Sequence, residues 1–313
     1  MVDNFIVAVG AVAPLFILMS IGFYVKQKHW LTALELEHMN KMVFKIFFFF
    51  FMFDNIFSMK SVNLYVPDLM LFGGIGVLLT AVIAFVLVYM AEEDNPRRGT
   101  MVQAIFRSNY AILGIPIVVN IFGPEAAAIP TMMIMVVVPL YNVLAVLVFE
   151  IFRGGKPNMA HILLGVARNP MILGIVTGFV FKVSGIMLPK PILIPVQQVA
   201  NCTTPLSLII LGSSFSFSSI RHGFVQLVSC IAARLFVVPA IALGIAIEMG
   251  FRGVELVTLL VIFATPCAVA SFAMAQQMNG DAELAGNCVV YTSALSCFTI
   301  FLWVFGLKTA GLF

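Results

Sequence analysis

The feature that most constrains this chain is that it repeats itself. Pro14, Gly22, Phe23 and Lys26 recur 156 residues later as Pro170, Gly178, Phe179 and Lys182, and Ile105, Phe106 and Gly123 recur 157 residues later as Ile262, Phe263 and Gly280. Two copies of one unit are fused. Reading apolar blocks against charged or turn-forming interruptions predicts ten spans, at 5–25, 39–57, 68–90, 101–122, 129–151, 170–188, 196–217, 224–249, 255–278 and 286–307. Each copy then holds an odd number of crossings, which turns the second upside down relative to the first, as in many alternating-access transporters.

Hydrophobic residues make up 62% of the chain and charged ones 10%, and apolar runs of bilayer length follow one another closely. The expectation is an all-α polytopic protein of the cell membrane: ten transmembrane helices in two inverted five-helix repeats. The first repeat covers 1–152 and the second 170–313, joined by a connector at 153–169 with room for at most a surface helix. Asp3 stands where a signal peptide would be basic, so the first apolar block is read as a retained span. With the N-terminus outside, eleven Lys and Arg, among them Lys41, Lys45, Arg153, Lys156, Arg168 and Arg221, fall on the cytoplasmic side. Five fall outside, Lys60 among them, so both termini are expected to be extracytoplasmic. The net charge of +3 says little in total, and no nucleic-acid partner is expected.

Cys202, Cys230, Cys267, Cys288 and Cys297 lie within predicted spans without metal-type spacing and read as small apolar fillers. His29, His38, His161 and His222 are scattered at predicted cytoplasmic span ends. No metal site or resident cofactor follows, and no span unites a nucleophile, base and oxyanion donor, so an enzyme is not expected.

The informative chemistry lies mid-span in the fourth span of each copy. There Arg107-Ser108-Asn109-Tyr110 precedes Gly114-Ile115-Pro116, and Thr265-Pro266-Cys267 precedes Ser271-Phe272. Pro266 removes a backbone donor, and Gly114 with Pro116 weakens the helix around Asn109, so both spans are expected to break. A break in hydrocarbon is tolerated only where protein, water or a ligand meets the freed backbone groups. Two helix N-termini aimed at one point offer N–H donors and partial positive charge, which suits a small carboxylate. Asn109, Ser108, Thr265 and Ser271 supply side-chain donors nearby. Each kink alone also fits ordinary membrane-helix packing; their pairing at matched positions favours a crossing that binds an anion.

Arg234 is the deepest basic residue, about ten residues or roughly 15 Å of helix beyond Arg221 and His222. It reads either as an anion ligand or as an arginine satisfied within the protein. Arg107 precedes the break and reads as a charge that draws anions in. Asp54, Asp68, Glu150 and Glu248 sit at span ends and read as interfacial. The phenylalanine run 47–51 faces every direction of a helix and reads as lipid contact or a subunit seam. Span seven differs: Thr203, Thr204 and Ser207 beside Pro205 offer a polar path between two moving parts. Na+ held by Asn287, Thr292, Ser293 and Ser296, proton coupling and uniport all stay open.

Asn109 through Gly114-Ile115-Pro116, Pro266 with Ser271-Phe272, Asn40-Lys41-Met42-Val43-Phe44, and Thr204-Pro205-Leu206-Ser207-Leu208 with Leu211-Gly212 resemble the auxin efflux carrier family. That resemblance implies ten helices divided into a scaffold of spans one, two, six and seven and a moving domain of the other six. It also implies dimers joined through the scaffold, an elevator-like movement, and transport of organic acids such as malonate, malate or auxin-like aromatic carboxylates. The substrate site would lie beside the crossing of spans four and nine, at Ser108, Asn109, Gly114, Pro116, Thr265, Pro266, Cys267, Ser271 and Arg234. Ser108 and Cys267 depart from the plant exporters, which carry proline before the asparagine and a polar amide after Pro266. An anion channel and a membrane-embedded sensor are the alternatives.

Overall fold

A computed structural model describes residues 2–58, 66–153, 159–215 and 223–313. Lys60, Lys156, Arg221 and His222 lie outside these residues, and the side chain of His161 is likewise not described. The described residues form helices and one isolated backbone pairing. Helix α1 covers Val2–Gln27. Helix α2, Ala33–Met42, passes through a π-helical turn at Val43–Phe47 into α3, Phe48–Phe57. Helix α4 is Pro67–Ala91, α5 Asn95–Phe106, α6 Tyr110–Phe122 and α7 Ala128–Phe152. In the second half, α8 is Met159–Arg168, α9 Pro170–Val183 and α10 Lys190–Ser214. Then follow α11, Phe224–Ala232, a π-helical turn at Ala233–Val237, and α12, Val238–Glu248. The last are α13, Gly253–Ala264, α14, Ala270–Gln277, and α15, Ala282–Thr309.

The starts of these helices follow from local chemistry. Thr32 and Glu35 close a reciprocal capping box on α2, the Glu35 amide donating to the Thr32 hydroxyl at 3.3 Å and the Thr32 amide to the carboxylate at 2.7 Å. Asn169 caps α9, accepting from the Met171 amide at 3.0 Å, with Pro170 pre-set for the first turn. Asp281 caps α15 through the Leu284 amide at 2.9 Å. Gly123 ends α6 at a φ of 90°, a conformation that glycine alone adopts without strain.

Among the described residues, five helical stretches are long and apolar enough to cross a bilayer unaided, and six if the bent pair Ile162–Arg168 and Pro170–Val183, which meet at 61°, is one span. Among the ten expected spans, 101–122 and 255–278 are each divided into two short helices, so neither reaches the bilayer thickness as one unbroken rod. Shorter apolar helices at Ala13–Gln27, Ile112–Phe122 and Gly253–Ala264 account for more of the difference. The outward faces agree with a lipid solvent: Leu71, Leu79, Ile83 and Leu87 of α4 are all exposed.

Lipid tails are as apolar as leucine, so helices associate in a bilayer through close van der Waals fit. Small residues supply it here. A methyl group placed on Gly22 of α1 would overlap the backbone of Ile209, and one on Gly212 of α10 the backbone of Met19. Gly174 and Gly178 of α9 likewise leave no room for a methyl group against the backbone of Phe49 and Phe53 in α3. Thus α1 packs along α10 and α3 along α9, while α4 and α7 pack against α5 and α13, the first halves of the interrupted spans.

Candidate functional site

Between α5 and α6 the chain leaves the helix at Arg107, Ser108 and Asn109, and between α13 and α14 at Thr265 through Val269. The two interruptions run antiparallel against each other, pairing Ser108 with Cys267. The Asn109 amide donates to the Pro266 carbonyl at 2.8 Å and the Ala268 amide to the Arg107 carbonyl at 3.4 Å. Each break therefore satisfies backbone groups that the other has freed. Thr292 of α15 supports them, accepting from the Cys267 amide at 3.0 Å while donating to the Cys288 carbonyl at 2.6 Å.

Pro266 lies in its break, as expected, but Gly114 and Pro116 do not. Both sit inside continuous α6, beyond the break, with Pro116 exposed. The interruption at 107–109 is held by its pairing with the partner break and needs no helix breaker of its own. Gly114 serves packing, since a methyl there would meet the ring of Tyr110, whose hydroxyl donates to the Pro130 carbonyl at 2.7 Å.

Beside the crossing lies a cavity of about 50 Å³. Ser108, Asn109, Arg107, Ala268, Val269 and Ala270 line it from the two breaks. Tyr141 and Asn142 of α7, Phe48, Phe51 and Met52 of α3, and Thr204 and Ser207 of α10 close its other walls. A water molecule needs roughly 10–15 Å³ of such space, so the cavity has the size of a small carboxylate rather than a bulky ligand.

Its electrostatics are one-sided. None of its lining residues is a carboxylate. Asn109 lines the cavity, is 5% exposed, and its side-chain nitrogen is a buried donor without a hydrogen-bond partner. Arg107 is 3% exposed. Its guanidinium donates to the Asn142 side-chain oxygen at 2.6 Å and approaches the Met274 sulfur, and it belongs to none of the ion pairs among the described residues. Asn109 stands at the N-terminal end of α6 without a side-chain bond to it, and the first amides of that helix carry its partial positive charge. The Ser108 hydroxyl donates to Tyr141 at 3.0 Å, and Tyr141 donates on to the Ile262 carbonyl at 3.1 Å.

Arg234 lies elsewhere. It is fully buried in the second π-helical turn and is not itself among the lining residues, but lies behind Tyr141, whose hydroxyl shares the Ile262 carbonyl with it. Its Nε donates to the Thr265 carbonyl at 2.8 Å, Nη1 to the carbonyls of Ile105 at 3.2 Å and Phe106 at 3.1 Å, and Nη2 to Ile262 at 2.9 Å. The remaining expected residues lie behind the cavity wall. Thr265 bonds back to the Val261 carbonyl at 2.7 Å, and Cys267 meets the Ser271 hydroxyl at 3.4 Å.

Sequence reasoning missed several wall residues, of which four carry an argument. Phe48 and Phe51 belong to the run read as lipid contact or a subunit seam, and Phe48 is buried. Tyr141 and Asn142 went unmarked, although two adjacent polar side chains just after Pro139 in an otherwise apolar span are a signal for a function. Glu150, read as interfacial, is largely buried and pairs with Arg153 at 3.0 Å. With Lys45, Arg168 and Asn169 these two line a second cavity of about 280 Å³, a few turns from the first.

Crossed, mutually bonded helix breaks inside an apolar helical protein are an arrangement found in many membrane transporters. The chain belongs to the membrane transport protein family, that of the auxin efflux carriers, which it matches over residues 7–304. An uncharacterized transporter of Methanothermobacter thermautotrophicus is 23% identical over 236 residues, covering 72% of this chain and 73% of that one. Another uncharacterized transporter, from Methanocaldococcus jannaschii, is 25% identical over 235 residues, covering 72% and 74%.

Proposed function

We propose that this protein is a secondary carrier of small organic anions, mono- or dicarboxylates, that binds them in the cavity at Asn109, Ser108 and Arg107. The observation that carries this reading is the unmatched set of donors there. A buried amide without an acceptor, a buried guanidinium without a carboxylate and a helix N-terminus belong to residues that line one space, and an anion complements all three. The cavity volume favours acids of malonate size over aromatic ones.

The architecture in this reading is ten spans in two inverted five-helix repeats. Helices α1, α2 with α3, α9 and α10 form the scaffold, which also joins two copies into a homodimer. The other helices move past it as one body. The glycine seams of α1 with α10 and α3 with α9 support a stiff scaffold, and the small side chains of Thr204 and Ser207 support sliding along it. Both termini lie outside the cell, and the basic second cavity is the cytoplasmic mouth, where Lys45, Arg153 and Arg168 raise the local anion concentration.

Uptake of labelled carboxylates into proteoliposomes under imposed Na+, proton and voltage gradients tests the reading. A carrier saturates and shows counterflow, because its turnover is limited by domain motion on microsecond to second scales. Unsaturable flux at channel rates, or no flux of any carboxylate, would refute it.

A further inference from the structure

The carbonyl oxygens around Arg234 come from the ends of two different helices. Ile105 and Phe106 close α5, while Ile262 and Thr265 close α13, and all four accept from the one guanidinium. A helix C-terminus carries about half a negative charge, so two converging ends present roughly one. Arg234 supplies one positive charge in a fully buried place and belongs to none of the ion pairs among the described residues. Backbone ends are its counter-charge. Several carbonyl oxygens converging on one centre are also the ligand type that alkali cations take. The π-helical turn at Ala233–Val237 fits this role: such turns commonly mark functional positions, and here Trp303 donates to the Leu235 carbonyl at 3.0 Å within it.

We propose that Arg234 is a tethered cation filling a carbonyl cage at the crossing, and that the crossing therefore needs no free monovalent cation. It is a positioning residue: it holds the C-terminal ends of both broken helices together, which in turn fixes the breaks where Arg107 and Asn109 face the cavity. The division of labour follows from polarity. The C-terminal ends are neutralised permanently by a side chain, and the positive N-terminal side is left for a ligand that comes and goes. This rests on the carrier reading only for its uptake arm, since the cage itself is tested without substrate.

The experiment compares purified wild type, Arg234→Ala and Arg234→Lys by thermal unfolding and by uptake in proteoliposomes, in choline, Na+, K+ or millimolar guanidinium chloride. Wild type should unfold at the same temperature in all four. Arg234→Ala should unfold earlier and lose most uptake in choline, and millimolar guanidinium or an alkali cation should raise its Tm by several degrees and restore part of the uptake. Arg234→Lys, which keeps the charge with fewer donors, should retain cation-independent uptake at a reduced rate. A folded Arg234→Ala indifferent to every cation would overturn the proposal, as would a wild-type Tm that rises in Na+ as the variant's does. If Arg234→Ala does not survive purification, the lysine variant decides: loss of its uptake in choline, or uptake that appears only with added alkali cation, overturns it. A cation-dependent Tm in Arg234→Ala beside a failure of every carboxylate in uptake would keep the cage and discard the substrate assignment.

Discussion

Replacing Asn109 by aspartate separates an anion site from a merely structural crossing, because the two give opposite signs. Aspartate has nearly the same shape, but it carries at the N-terminus of α6 the negative charge that the proposed substrate would otherwise bring. A carboxylate beside a helix N-terminus stabilises by about 0.3–1 kcal/mol. The Tm should therefore hold or rise slightly. For the substrate the same charge is repulsive: at about 4 Å and an effective dielectric constant near 20, two unit charges interact by about 4 kcal/mol. Since 1.4 kcal/mol is a factor of ten, affinity should fall by roughly a thousandfold. Asn109→Ala, which only removes a donor to a charged acceptor, should cost about 1.5–3 kcal/mol, or roughly 10- to 150-fold. Thermal unfolding together with substrate-induced Tm shifts, followed by uptake in proteoliposomes, reads both quantities. Unchanged affinity in Asn109→Asp, or a fall in Tm that parallels the fall in affinity, would refute the placement of an anion at this residue.

Other substitutions test the walls and the scaffold. Arg107→Gln should abolish measurable uptake, and Arg107→Lys should recover little, because a lysine lacks the planar fork that reaches Asn142 while facing the cavity; initial uptake rates check this. Tyr141→Phe removes the hydroxyl between Ser108 and the Ile262 carbonyl, and should cost about 1 kcal/mol, read as a Tm lower by a few degrees. Phe51→Ala enlarges the cavity from the α3 side and should shift preference toward longer acids, measured by competition against labelled uptake. Gly212→Val forces side-chain atoms into the Met19 backbone and should destabilise by about 1–3 kcal/mol or more while leaving the KM of the folded fraction unchanged.

How much of this was readable in advance depended on whether the signal was local. Pro266 announces its own break, because the missing N–H acts on the turn that contains it. The break at Asn109 was placed correctly but for another reason: Gly114 and Pro116 turned out to lie inside α6, and what holds the chain out of the helix is the pairing of Ser108 with Cys267 across a long sequence separation. Arg234 could be seen to be deep, yet its partners are backbone carbonyls, which every residue has, so no residue type gave them away. Phe48 and Phe51 were hidden by their neighbours. A run of identical rings has no periodicity from which to tell the cavity side from the lipid side, and only packing against α10 and the breaks separates them. The π-helical turns at Val43–Phe47 and Ala233–Val237 also left no trace, because one extra residue per turn does not disturb an apolar pattern.

The most direct test of an anion bound at the crossing is to offer proteoliposomes one labelled dicarboxylate and its uncharged diamide, matched in size, and to measure initial uptake of each with and without the same compound preloaded inside. The account predicts saturable uptake of the acid, faster when the acid is preloaded, and no carrier-mediated uptake of the amide. Equal uptake of acid and amide, lost together on Asn109→Asp, would leave the crossing as a transport site but contradict the claim that its donors await a negative charge.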